Sequence, residues 1–212
     1  MLANGQFIAH LRAQLQQPLP GQPAQYRMAS MRRLEELSTL PAPPPDAKVA
    51  CVLNLLHQKD GTWRTVLIQR TQNQQDRHSG QVSFPGGRYE RSDESLAAVA
   101  LRETEEEVGV PIADVEILGR LTQLYIPVSN FLVHPFVGVL HAAAEFRPQV
   151  GEVAHILTPE LAQFTAPDAT KRRDLQLAQG LTLRDVPYFD VEGRMVWGAT
   201  AMILSEFLEV VR

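Results

Sequence analysis

Residues 78–110 read HSGQVSFPGGRYERSDESLAAVALRETEEEVGV, and these 33 residues carry a strand, a glycine turn and an acid-rich helix. Gln81 to Phe84 alternates polar and apolar side chains as a short strand does. Pro85, Gly86 and Gly87 stop it, because proline gives a ladder no donor and glycine supplies turn geometry. A helix is expected from about Ser92, whose hydroxyl can cap an orphan backbone N–H, with Asp93 and Glu94 placing negative charge at the positive end of the helix dipole. Gly109 marks its end.

At about 100° per residue, Ala97, Leu101, Thr104 and Val108 fall on one stripe of this helix, while Glu103, Glu106 and Glu107 gather on another. One face can bury and the other can work. Glutamates three and four residues apart repel by a few tenths of a kcal/mol per pair, and these also crowd the negative end of the dipole. A solvated acidic face is one reading of Glu105, Glu106 and Glu107. A hard divalent cation is the other, since Mg²⁺ or Mn²⁺ would relieve both defects while keeping waters and substrate phosphate in its remaining positions.

The order Gly86-Gly87, a spacer, Glu94, seven residues, Arg102-Glu103, two residues, Glu106-Glu107, one residue and Gly109 resembles the Nudix box, the signature of hydrolases that cut nucleoside diphosphates linked to another moiety. Two departures stand out: the spacer from Gly87 to Glu94 is six residues where the usual box has five, and Thr104 takes a commonly aliphatic position. The stretch from His78 to Gly87, with Leu67 to Thr71 ahead of it, is similar to the upstream motif of the coenzyme A pyrophosphatase branch, although Asp76 stands where that branch usually has arginine. VPYFDVEGRMVWGATAMIL, residues 186–204, resembles the same branch's C-terminal segment.

The resemblance implies metal-dependent hydrolysis of coenzyme A or its thioesters to 3′,5′-ADP and 4′-phosphopantetheine. Such chemistry needs charge neutralisation on phosphate oxygens, an oriented water and a route for its proton. Glu103, Glu106 and Glu107 are the implied ligands for Mg²⁺ or Mn²⁺, joined by the carbonyl of Gly86 or Gly87. Glu103 and Glu106 belong with catalysis, and Glu152, after Gly151, resembles the acidic position beyond the box that serves as base or further ligand. Arg70, His78 and Arg88 are the implied substrate contacts. Gly86, Glu94, Arg102 and Gly109 are structural, with Arg102 pairing Glu94 or Glu106. Another nucleoside diphosphate derivative (an ADP-sugar, a dinucleoside polyphosphate, a capped RNA end) is the nearest alternative; a non-catalytic nucleotide or metal sensor is a different class.

Composition agrees with an ordinary globular protein: 212 residues, 44% hydrophobic and 21% charged, with net charge −4. That charge gives no basic surface for duplex nucleic acid, so phosphate binding falls to local arginines and a small-molecule partner is expected. Cys51 is the only cysteine, which excludes an internal disulfide and fits a reducing cytoplasm. Neither a membrane span nor a secretory leader is expected.

Residues 1–46 are expected to form a helical extension and proline-rich linker, and 47–212 the hydrolase domain. Phe7, Ile8, Leu11 and Leu15 have helical spacing, a second helix is expected from Ser30 to Leu37, and PAPPPD at 41–46 is a stiff spacer. These helices either pack on the main domain, pack on a second subunit in a homodimer, or form a loose leader. Beyond them, strands are expected at Lys48 to Leu56, Trp63 to Gln69 (a hairpin turning at Lys59-Asp60-Gly61), Val115 to Leu124, Phe131 to Leu140 and Ala154 to Leu157. Pro135 implies an edge or a bulge in the fourth of these. A hairpin turning at Glu192-Gly193 and a packed helix from Ala199 to Val211 follow. The pattern predicts an α+β fold, a mixed sheet between helical layers, which is the α/β/α sandwich that the Nudix resemblance implies. His134 and His155 are expected as core groups, and Lys171-Arg172-Arg173 either as solvated surface or as the cations a substrate 3′-phosphate needs.

Overall fold

A computed structural model of the chain describes residues 4–39, 42–72, 80–142, 145–177 and 180–212. In order these form α1 (Asn4–Leu15), α2 (Gln22–Tyr26), α3 (Met31–Ser38), β1 (Lys48–Lys59), β2 (Thr62–Thr65), β3 (Leu67–Arg70), β4 (Val82–Ser83), β5 (Gly86–Arg88), α4 (Leu96–Val108), β6 (Val115–Arg120), β7 (Leu124–Ile126), β8 (Phe131–Leu140), β9 (Val153–Leu157), β10 (Thr170–Gln176), β11 (Thr182–Val191), β12 (Arg194–Trp197) and α5 (Gly198–Val210).

β1 is the spine. Its apolar run, buried on both sides, lies parallel to β8 from Lys48↔Phe131 to Leu56↔Val139, and its other edge is shared by antiparallel β5 and β2. Continuous hydrophobicity is what a strand covered on both faces requires. Cys51, Leu53 and Leu55 join Val99, Ala100 and Val108 of α4 in one core. Leu56 faces the opposite core, with Leu11, Met28, Met202, Leu204 and Phe207. The sheet thus lies between α4 on one side and α5 with the N-terminal helices on the other, the expected α+β sandwich.

The expected single strand from Trp63 to Gln69 is in fact two, β2 on the large sheet and β3 on a small one with β4 and β9. The chain leaves the large sheet at Val66, whose N–H still donates to Leu55 O, and returns at Pro85, whose carbonyl accepts from Leu53 N. Val115 to Leu124 likewise divides into β6 and β7. Pro135 is not on an edge: it is buried in β8 and paired with Val52, at the point where the partner on the other side changes from β6 to β7. A proline that cannot donate is tolerated where a ladder is interrupted anyway.

Both expected hairpins turn with two consecutive left-handed residues, Asp60 (φ 52°) with Gly61 (φ 76°) and Glu192 (φ 52°) with Gly193 (φ 76°), matching the right-handed strand twist. The N-terminal helices dock on the body. Phe7 stacks on Trp63 at 4.8 Å, and Leu11 and Leu15 are buried. Fully buried Glu206 of α5 accepts from Gly21 N (3.2 Å), Gln25 Nε2 (2.8 Å) and Thr122 N (3.1 Å), tying α2 to α5 and to the β6–β7 connection. No helix among the described residues is long and apolar enough to cross a membrane.

Candidate active site

The acid-rich helix α4 begins later than expected. Its cap is Ser95, whose hydroxyl accepts from Ala98 N at 3.1 Å, so Ser92, Asp93 and Glu94 lie before the helix and no acid occupies its first turn. Gly109 ends it in the left-handed conformation (φ 73°) with its N–H on Glu105 O. The carbonyls of Glu107 and Val108, orphaned at the helix end, accept from Gln149 N and Arg147 N. The loop that carries Glu152 is thereby stitched to the helix that carries the other acids.

Gly86 and Gly87 are not a turn. They form β5, opposite Val52 and Cys51, and the missing side chains are what allows it. A Cβ at Gly86 would lie 2.3 Å from Cys51 O, and one at Gly87 would lie 2.2 Å from Cδ of Glu103. The Glu103 carboxylate therefore rests on the Gly87 backbone. Glu107, expected on the working face, is buried (2% exposed) and accepts from Gly86 N at 2.8 Å. The buried stripe is Val99, Ala100, Thr104, Glu107 and Val108 rather than Ala97, Leu101, Thr104 and Val108. Thr104 pays for its place in an apolar row by donating to Ala100 O at 2.6 Å.

Burial dominates the electrostatics. Loss of water pushes the Glu107 carboxyl up to about 7; the Gly86 N–H and Arg70 pull against it, while Glu103 and Glu152 add to it. Glu103 is raised by burial despite its bond from Arg102, and Glu106 and Glu152 push the same way. Three carboxylates from two elements, Glu103, Glu107 and Glu152, thus sit close enough to oppose one another's ionisation. Arg70 stands 3.9 Å from Glu107.

Arg102 is held by Asp93, not by Glu94. Its Nε donates to Asp93 Oδ1 at 2.9 Å and its Nη2 to Oδ2 at 3.1 Å, a two-pronged pair that holds the Asp93 carboxyl below its ordinary range and the guanidinium above its own. Nη1 reaches Glu103 at 2.8 Å and Glu106 at 3.6 Å, and Glu94 is exposed. The sixth spacer residue explains the exchange, since it puts Asp93 where a five-residue spacer would put the box glutamate.

Among the described residues no three His, Cys, Asp or Glu side chains stand as a preformed metal cluster, Glu103 being turned to Arg102 and Glu107 to Gly86. Arg88 is exposed and its carbonyl accepts from Arg102 at 3.4 Å. His78 lies outside the described residues. His155 is exposed rather than core, and His134 is half-buried with its pKa lowered by burial. The buried histidine is His57, which burial, Arg64 and Lys59 push down to about 4; its short apolar context gave no signal of its own. Lys171 and Arg172 lie in the unexpected strand β10, paired with Asp190 (3.0 Å) and Asp185 (2.6 Å).

The chain matches the NUDIX domain family over residues 45–183. It is 35% identical over 142 residues to the uncharacterized Nudix hydrolase NudL of Pectobacterium atrosepticum, covering 67% of this chain and 72% of that one. It is 34% identical over 147 residues to the NudL of Yersinia enterocolitica, covering 69% and 74%. A MutT/nudix family protein from Enterococcus faecalis has the same fold at a TM-score of 0.50 and 16% identity, over 90% of this chain and 73% of that one. With the glycine strand, the glutamate helix and its arginine clamp assembled as described, and with relatives of this extent, the chain belongs to the Nudix hydrolase family.

Proposed function

We propose that the chain is a divalent-metal-dependent pyrophosphohydrolase of coenzyme A or its thioesters, releasing 3′,5′-ADP and (acyl-)4′-phosphopantetheine. The observation that carries the metal is the packing of Glu103 on Gly87 and of Glu107 on Gly86, with Glu152 facing both. A donor set of mutually repelling carboxylates beside an open glycine backbone fits a hard cation. Glu103, Glu106 and Glu107 would hold Mg²⁺ or Mn²⁺, with the Gly87 carbonyl, and Glu152 would serve as base or further ligand. Bound there, the ion would neutralise phosphate oxygens and acidify a water. Arg102 keeps the helix against β5, and Arg70, beside Glu107, offers a positive group to the substrate's phosphates.

Coenzyme A is favoured by a contact between separate stretches. Thr200 Oγ1 donates to Val82 O at 3.0 Å and Arg194 Nε to Gln69 Oε1 at 2.8 Å, so the C-terminal segment and the upstream motif, which resemble the same branch, buttress each other. One observation favours the alternative of another nucleoside diphosphate derivative: Lys171 and Arg172 already have carboxylate partners and are not waiting for a 3′-phosphate. Residues 47–212 would carry the activity, and a free, buried Cys51 suits the cytoplasm.

The test is a panel of coenzyme A, acetyl-coenzyme A, 3′-dephospho-coenzyme A, ADP-ribose and a dinucleoside polyphosphate with Mg²⁺, Mn²⁺ or chelator, read by product mass. Coenzyme A should lead by kcat/KM and chelator should abolish turnover. A lead for the dephosphorylated analogue or ADP-ribose would remove the coenzyme A assignment. Glu106→Gln and Glu107→Gln should each lower turnover by roughly several powers of ten with the fold intact, and near wild-type rates in both would remove the metal site.

A further inference from the structure

We infer that Thr71 is a positioning residue, whose hydroxyl and amide fix the Gly151-Glu152 segment and so aim the Glu152 carboxylate at Glu103 and Glu107. The inference rests on Glu152 acting in the reaction as proposed above. Its basis is a break in the β3–β9 ladder. Gln69 is opposite His155 and Arg70 is opposite Val153, so Ala154 is an extra residue on β9. A bulge of this kind twists the strand and ordinarily ends pairing.

Thr71 restores the pairing one residue later, donating its N–H to Glu152 O at 2.9 Å and its Oγ1–H to Gly151 O at 2.8 Å. Two consecutive carbonyls are held by one residue. The far side of the same loop is held by α4, through Gln149 N on Glu107 O. The segment from Gln149 to Val153 is thus strung between the glutamate helix and Thr71. It needs both moorings, because Gly151 sits at φ +96°, a conformation the chain does not hold by local preference. No side chain would be obstructed there, as nothing lies within 4 Å of an added Cβ, so the glycine serves the backbone turn rather than close packing. Glu152 itself is exposed, and its aim depends on the backbone beneath it.

Small displacements of a reacting group cost rate steeply, so the hydroxyl should be visible in kcat. Thr71→Val keeps the shape and removes the donor; Thr71→Ser keeps the donor. With the full chain, Mn²⁺, and coenzyme A and ADP-ribose assayed in parallel, Thr71→Val should lower kcat about tenfold, the worth of one well-made hydrogen bond. KM should stay within about twofold, and Thr71→Ser should retain most of the rate. The deciding comparison is a double-mutant cycle with Glu152→Gln. If Thr71 acts through Glu152, Thr71→Val costs nothing more once Glu152 is gone.

An equal loss in both backgrounds overturns the inference while leaving Glu152 in its role. An unchanged kcat in Glu152→Gln alone instead removes the reading of Glu152, and the inference with it. A readout without metal stands beside these: amide exchange by mass spectrometry in chelator should speed up across 149–153 in Thr71→Val and stay unchanged across α4. Faster exchange throughout would mean general loosening and would overturn the assignment.

Discussion

Replacing Glu107 by Gln in the metal-free protein should stabilise it at pH 8 by far more than at pH 5. The carboxyl is buried with neutral Gly86 N–H as its near partner and Arg70 no closer than 3.9 Å, and burial raises it from 4.5 to about 7. A carboxyl whose folded-state pKa is raised has its full stability below the unfolded value, and loses it as pH climbs through the folded one. At about 1.4 kcal/mol per tenfold, the ionised acid costs about 3 kcal/mol at pH 8 and under about 1 kcal/mol at pH 5. Whatever constant the buried amide adds is the same at both. The gap between variant and wild type should therefore widen by about 2 kcal/mol, roughly 5 °C in Tm for a chain of this length.

The wild type alone would not reveal this. His57, pushed down to about 4, works in the opposite sense, because the unfolded chain takes up its proton below about 6.5 while the folded chain does not. That contribution is common to both proteins and cancels in their difference. Thermal unfolding in chelator at pH 5, 6, 7 and 8 measures it. A gap that stays constant across the range would refute the account of Glu107 as a desolvated carboxylate. Since the same substitution removes a proposed ligand, the variant should be stabler and slower, as expected where function holds like charges together.

Asp93→Asn should lower Tm and Glu94→Gln should leave it within about 1 °C, because the Arg102 fork is on Asp93; equal effects in thermal unfolding would overturn the pairing. Glu206→Leu leaves Gly21 N, Gln25 Nε2 and Thr122 N without their acceptor and should cost about 3 kcal/mol in urea unfolding. Limited proteolysis should then cut near residues 16–21, and unaltered unfolding and cutting would show the clasp to be idle.

What the sequence disclosed was local. The Asp60-Gly61 and Glu192-Gly193 turns, the end of α4 at Gly109 and the apolar run of β1 are fixed by backbone sterics and by burial on both faces, which neighbouring residues announce. The acids of α4 were legible because their spacing is helical. Their surroundings were not. Nothing local in KVACVLNLL foretells that β5 must approach it closely, so Gly86 and Gly87 read as a turn when their lack of side chains serves close packing. The breaks at Val66 and Pro85, where the chain changes sheets, are likewise tertiary. A serine three residues later outcompeted Ser92 for the cap, and the six-residue spacer handed Arg102 to Asp93. Glu152 came from resemblance alone; Thr71, a plain threonine after a strand, had no pattern to mark it.

The Glu206 clasp also sets an order of events during synthesis. Its partners Gly21 and Gln25 precede it by 185 and 181 residues, which at a translation rate of about 5–20 residues per second is a delay on the order of ten seconds or more. For that interval the nascent chain holds α1 and α2 with their apolar side chains and no α5 to receive them. The last helix to leave the ribosome is the one that gives the first its place, so closure of this protein is a single late event in which both flanks of the hydrolase domain are secured together.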